Sequence, residues 1–240
     1  MTRSTGRPET ACRIGTAGWS VPQGGEGSQL QRYSARLDCV EIDSSFYRPH
    51  RPQTYARWAA SVPQGFRFAV KAPRAVTHQA RLRDAAPLLQ PFLAEIAALG
   101  PALGPLLLQL PPSLKFDPAL AQNFFADLRK LFAGCVVAEP RHASWFGPGP
   151  EALLRAYEIG RVAADPAPAP EAAAPGGWDG LRYWRMHGSP QMYHTAYGED
   201  RLRALAGQLA PRDWCIFDNT ASGAALQDAL KLQSLIRPPA

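Results

Sequence analysis

Short dense apolar runs alternate along this chain with longer stretches whose apolar positions recur at helical spacing, a pattern that predicts repeated strand–helix units. The runs are RIGTAGWS (13–20), CVEIDSSFY (39–47), FRFAVKAP (66–73), LLLQLPP (106–112), VVAEPRHASWF (136–146), RVAAD (161–165), LRYWRMHG (181–188) and WCIFDNT (214–220). Helices are expected over 29–36, 51–62, 87–99, 118–132, 151–159, 199–209 and 224–236, with Pro52 and Pro118 in first turns where a missing N–H costs little. Thr77, His78 and Gln79 read as loop. The proline-rich stretch 166–177, PAPAPEAAAPGG, cannot be an ordinary helix and reads as an extended connection. Eight strands alternating with helices predict one (β/α)8 TIM-type barrel, and no phosphate-gripping GxGxxG follows the first strand to suggest an open dinucleotide-binding sheet.

Several runs end alike. In VVAEPRHASWF the strand faces alternate, so Val137, Glu139 and Arg141 share one side. CVEIDSSFY puts Glu41 and Asp43 on one side, and LRYWRMHG does the same for Tyr183, Arg185 and His187. With Lys71, Gln109, Asp165, Asp218 and Asn219, these polar positions fall at strand C-terminal ends, where barrels of this type carry their active sites. A self-satisfied network of buried ion pairs is the competing explanation.

Composition narrows this picture only a little. The 240 residues, 46% hydrophobic and 19% charged, suit one domain over 1–240, with 1–12 a polar tail. The net charge of +6 and pI near 9.4 favour anionic partners. Much of the excess is scattered arginine, and no run of five or six like charges marks a nucleic-acid tail. Cys12, Cys39, Cys135 and Cys215 lack zinc or redox spacing. Those at 39, 135 and 215 sit in apolar runs and are expected as buried free thiols, which suits a reducing cytoplasm. No secretory signal and no apolar stretch of the ~18 residues a membrane span needs is present.

Each side chain then has an expected role. Lys71, Arg141 and Arg185 would grip a phosphate or carboxylate, aided by Asn219, because guanidinium forks match such anions. Glu139 and His187 would move protons, with Glu41 and Asp165 as further catalytic carboxylates; a Glu41–Glu139 pair could also give glycosidase-like geometry. Trp19, Tyr47 and Trp145 follow strand ends and would wall the pocket. No cofactor is expected. A divalent metal on Glu139, Asp165, His187 and Asp218 is the competing idea, opposed by the nearby cations. The partner expected is a small anion, with nucleic acid as the alternative and no membrane; oligomeric state is open. Serine chemistry has no support, since no GxSxG elbow exists.

The blocks TAGWS, VEIDSSFYRPHRPQTYARW, GFRFAVKAPRAVTH, GPLLLQLPPSLKF, EPRHASWF, RMHG and FDNTASG, in that order, resemble the YecE-like family, a domain of unknown function. The resemblance covers nearly all the chain and implies a TIM-type barrel in the neighbourhood of xylose isomerase and endonuclease IV shapes. It names a fold and no reaction. Glu41, Lys71, Glu139, Arg141, Asp165, Arg185, His187 and Asn219 fall where that pattern is richest. Three functions follow as expectations: an enzyme acting on an anionic ligand, a non-catalytic nucleic-acid or protein binding module, and a metal-dependent phosphoester hydrolase.

Overall fold

The computed structural model describes residues 12–236; apart from Cys12, the expected tail at 1–12 lies outside them. The chain runs β1 (Arg13–Thr16), α1 (Gln29–Ser34), β2 (Cys39–Ile42), α2 (Pro52–Ala60), β3 (Arg67–Lys71), α3 (Ala86–Ile96), β4 (Leu103–Gln109), α4 (Pro118–Leu131) and β5 (Val136–Glu139). It continues with α5 (Pro148–Ala156), β6 (Ile159–Arg161), β7 (Ala163–Asp165), β8 (Gly176–Gly177), β9 (Tyr183–Met186), α6 (Glu199–Ala206), β10 (Trp214–Phe217) and α7 (Ala224–Ile236). Local chemistry sets several boundaries. Ser28 and Gln31 form a reciprocal capping box at the start of α1, and the Asp117 carboxylate accepts from the Leu120 amide at the start of α4. Prolines occupy the first turns of α2, α4 and α5.

The described residues form an α/β fold with two hydrogen-bonded sheets, ordered β2-β3-β4-β5-β6-β8 and β1-β10-β9-β7. Every pairing is parallel except β6 with the two-residue β8. Two seams join the sheets. At one, Ala17 bridges Glu41 in parallel, and the Gly18 amide donates to the Glu41 carbonyl at 2.8 Å. At the other, Val162 alone separates β6 from β7, and its amide donates to the Ala138 carbonyl at 2.8 Å. Backbones approach closely along the β1–β2 seam: a Cβ on Gly15 would lie 2.4 Å from the Cys39 carbonyl oxygen.

Strands covered on both faces explain the dense apolar runs. One face packs a compact cluster, including Cys39, Ala69, Leu107, Val137, Tyr183, Trp214 and Ile216. The other face meets the helices, with Val40, Phe68, Leu106, Leu108 and Val136 among Leu89, Phe125 and Leu154. Continuing along the first face past Cys39, Ala69, Val137, Tyr183 and Ile216 gives Glu41, Lys71, Glu139, Arg185 and Asp218. The period of two therefore delivers the charged side chains to one end of the sheets.

Several expectations shift. Thr77, His78 and Gln79 belong to a π-helical turn over Ala75–Gln79 rather than a loop. β4 starts at Leu103, ahead of the expected 106; Ile159, expected at the end of a helix, opens β6; and the run 161–165, expected as one strand, is divided at Val162 between β6 and β7, which lie in different sheets. The proline-rich connection lacks an α-helix, as expected, but is ordered by a 3-10 turn over Pro170–Ala173 and by β8. Arg161 holds it, donating to the carbonyls of Glu171 at 2.9 Å and Ala174 at 3.2 Å and pairing with Glu151. Cys39 and Cys215 are buried free thiols, whereas Cys135 is exposed, because it precedes β5 at the opposite end of the sheet. Among the described residues, no helix is long and apolar enough to cross a membrane.

Candidate functional site

Arg185 is the hub. Its side chain is fully buried, and its guanidinium donates from Nη1 to Glu139 Oε2 at 2.7 Å and from Nη2 to Glu41 Oε1 at 2.6 Å and Asp218 Oδ2 at 3.0 Å. Below it, the Tyr183 hydroxyl donates to the other Glu41 oxygen at 2.8 Å. Beside it, Arg141 Nη2 donates to Glu139 Oε1 at 2.7 Å. Lys71 pairs with Asp43 at 2.7 Å and lies 4.3 Å from the centre of the Phe46 ring. Thus the ends of β2, β3, β5, β9 and β10 converge through residues far apart in sequence. Glu41, Asp43, Glu139 and Asp218 face Lys71, Arg141 and Arg185, with His187 and Tyr183 beside them. The cluster is close to electrically balanced.

The environments of its carboxylates differ. Burial raises the Glu41 carboxyl, and Arg185 offsets this only partly, so its pKa stays above the ordinary glutamate value. Burial acts the same way on Glu139, but Arg141, Arg185 and His187 outweigh it and hold that carboxyl well below the usual range. Asp218, also buried, is lowered by Arg185 and His187. Two glutamates on one guanidinium are therefore biased oppositely, as in sites that assign acid and base roles by environment.

His187, fully buried, sits in a proton conflict. Nδ1 is 3.0 Å from Asp218 Oδ2, a carboxylate that accepts only, so Nδ1 carries a proton and donates. Nε2 lies 2.8 Å from Glu139 Oε1 and 2.7 Å from Arg141 Nη2, which are themselves 2.7 Å apart. A protonated Nε2 bonds Glu139 and opposes Arg141; a bare Nε2 accepts from Arg141 and opposes Glu139. One proton decides which contact is favourable.

The other expected residues are not all in this cluster. Asp165 turns its carboxylate to Arg201, with Arg201 Nε at 2.9 Å, and supplies its carbonyl to the His187 amide at 2.7 Å. Asn219, fully buried, donates to Thr195 O at 3.0 Å and Asp228 Oδ2 at 2.6 Å, tying loops together rather than facing the charges. Trp145 is buried among Phe116 and Phe125, its indole N–H on the Leu114 carbonyl at 2.9 Å, which leaves no face for a ligand. Trp19 packs edge-on against Trp58. Tyr47 is 72% exposed against Phe46. Arg185, expected to grip an anion, has both terminal nitrogens committed to carboxylates. The glycosidase-like use of Glu41 and Glu139 meets the same obstacle, since that guanidinium occupies the space between them. Among the described residues, no group of three or more His, Cys, Asp and Glu is arranged to hold a metal ion. Tyr183, noted only as sharing a face with Arg185, proves to be a direct partner of Glu41; its place two residues earlier on the same strand was the signal.

The family described as protein of unknown function DUF72 matches residues 13–239. UPF0759 protein YecE of Escherichia coli K12 is 33% identical over 142 residues, covering 58% of this chain and 51% of that protein. UPF0759 protein YunF of Bacillus subtilis 168 is 34% identical over 73 residues, covering 28% and 26%. In those alignments the chain spans about half or less of the curated relatives' length. A DUF72 family protein from Enterococcus faecalis V583 superposes with TM-score 0.81 at 21% identity, covering 95% of this chain and 96% of that one. A second, from Thermotoga maritima MSB8, gives 0.78 at 23% identity, covering 94% and 99%. An L-ribulose 3-epimerase structure gives 0.50 at 16% identity, covering 94% and 87%, a likeness of fold alone. With a family match over nearly its whole length and the same fold in two solved members, this chain belongs to the DUF72 family.

Proposed function

We propose that the two sheets close through their seams into one (β/α)8 barrel, and that the charged cluster at its C-terminal mouth is an enzyme site for a small phosphate- or carboxylate-bearing ligand in a reducing cytoplasm. The observation that carries this reading is the state of Arg141. Its side chain keeps 11% exposure, its Nε is buried without a partner, and among the described residues its Nη1 has none either. A guanidinium whose Nη1 is uncommitted is suited to donate to a planar or tetrahedral anion. Lys71, 7% exposed and paired with Asp43, is the second cation of the cluster that keeps some exposure.

In this reading Arg141 binds the anion, and its movement away from His187 Nε2 releases that nitrogen to exchange a proton with Glu139 or the ligand. Glu139 and His187 are the proton-moving pair; Arg185, Glu41, Asp218 and Tyr183 hold them in position. The metal-dependent alternative is less favoured because the carboxylates it needs are already neutralised by three cations. The net charge of +6 supports a nucleic-acid partner only in a general way.

A thermal-shift and NMR screen of phosphorylated and carboxylated metabolites, with a short oligonucleotide and divalent metals as further arms, tests the reading on wild type and Arg141→Ala. At least one small anion should raise the wild-type Tm by several degrees and leave Arg141→Ala unmoved. Equal responses from the two proteins to every anion in the screen, or a response to oligonucleotide alone, would refute it. Arg141 is the residue to change, because removing Arg185 strands three buried carboxylates and confounds binding with unfolding.

A further inference from the structure

We propose a second ligand site beside the mouth, between the turn after β2 and helix α3, that takes a small organic anion with an aromatic or otherwise apolar body. The site is a pocket of about 370 Å³, within the roughly 300–1,000 Å³ range of small-molecule sites. Its inner wall is apolar and aromatic, built from the buried Phe46, Tyr55 and Phe92. Its outer wall carries Arg48 and Arg74, both exposed, and among the described residues neither side chain has a hydrogen-bond or ion-pair partner. Among the described residues the lining has one carboxylate, Glu95, which makes no ion pair with either arginine and whose pKa is raised by burial.

Two further observations point to a ligand. Tyr55 is fully buried, yet its hydroxyl has no hydrogen-bond partner, although buried polar groups are almost always satisfied. In addition, Tyr47 and Leu88, two of the exposed large hydrophobics, border this pocket at 72% and 39% exposure. A flat or aliphatic body covering Tyr47 and Leu88, with a carboxylate between Arg48 and Arg74, engages these four groups together. The π-helical turn Ala75–Gln79 forms part of the wall, a local geometry common at functional sites. Phe46 separates the pocket from Lys71, so the two sites share a wall but not their anion-binding groups.

The test uses the full chain and a defined panel: benzoate and cyclohexanecarboxylate, with acetate lacking the body and benzyl alcohol lacking the charge. Binding is followed by calorimetry and by NMR shifts of the Leu88 methyl groups. Benzoate should bind roughly tenfold or more tightly than acetate or benzyl alcohol, and Arg48→Gln with Arg74→Gln should cost a similar factor. Tyr55→Phe should leave the Tm of the free protein unchanged or higher, since the lost hydroxyl served nothing, and should leave benzoate binding as in wild type, because benzoate carries no second polar edge. Arg141→Ala should leave benzoate binding intact, whatever becomes of the mouth. The proposal is overturned if no panel member binds at millimolar concentration or if the double arginine variant binds benzoate as well as wild type. It is equally overturned if Arg141→Ala abolishes binding or Tyr55→Phe lowers the Tm of the free protein.

Discussion

Arg185 shows why a charge at a strand end need not be a binding group. Taking its guanidinium out of water is costly, and the three carboxylates that compensate it use both terminal nitrogens. Arg185→Ala should therefore destabilise the protein by about 3–5 kcal/mol, read as a shift in urea midpoint at unchanged slope. The two glutamates on that guanidinium should titrate stability in opposite senses. Glu139 has a lowered folded pKa, so its contribution is present above the ordinary carboxylate range and is lost as pH falls through the folded value. Glu41 has a raised folded pKa, so stability present below the ordinary value is lost as pH rises through the folded one. Unfolding measured from acid to neutral pH should show Glu139→Gln with a flattened acid limb. Glu41→Gln should lack the decline on the rising side, and matching profiles for the two variants would contradict the assignment. The identities of these side chains were legible from strand alternation. Their pairing was not, because Glu41 and Arg185 lie 144 residues apart and nothing local couples them.

Among the connections, the stretch between β7 and β9 departs furthest from a strand–helix repeat. Its prolines forbid an α-helix, and order comes instead from one buried arginine reaching across from β6. Arg161→Ala should leave the strands in place but release this connection, seen as faster hydrogen exchange at the Gly176 and Gly177 amides with little change at β5. Slow exchange retained there would mean that β8 pairing suffices without the arginine. Composition correctly excluded a helix here, but the order was hidden, since it depends on a partner outside the stretch. The aromatic at the end of the β5 turn teaches the same lesson. Trp145 follows a strand end, yet Phe116 and Phe125 draw it into the core, and spacing alone cannot tell a ligand wall from a packing residue.

How the sheets meet governs whether the charged ends face one another at all. The β1–β2 seam has no room for a side chain at Gly15, where any Cβ would press on the Cys39 carbonyl. Gly15→Ala should cost about 1–3 kcal/mol or more by forcing the strands apart, and it should disturb NMR signals of Glu41 as well as of β1. A silent substitution would show that the seam is loosely packed. The alternation of apolar and polar positions was sufficient to predict most of the strand–helix units, the α/β class and the strand ends that carry charge, because period and turn chemistry are local properties of the chain, but not β8 or the division of the run 161–165 between β6 and β7. It could not say which charges neutralise one another, which aromatics sink into the core or which guanidinium stays open. Those outcomes depend on which strand ends are brought within 3 Å of each other, and on how much water remains around them once they are.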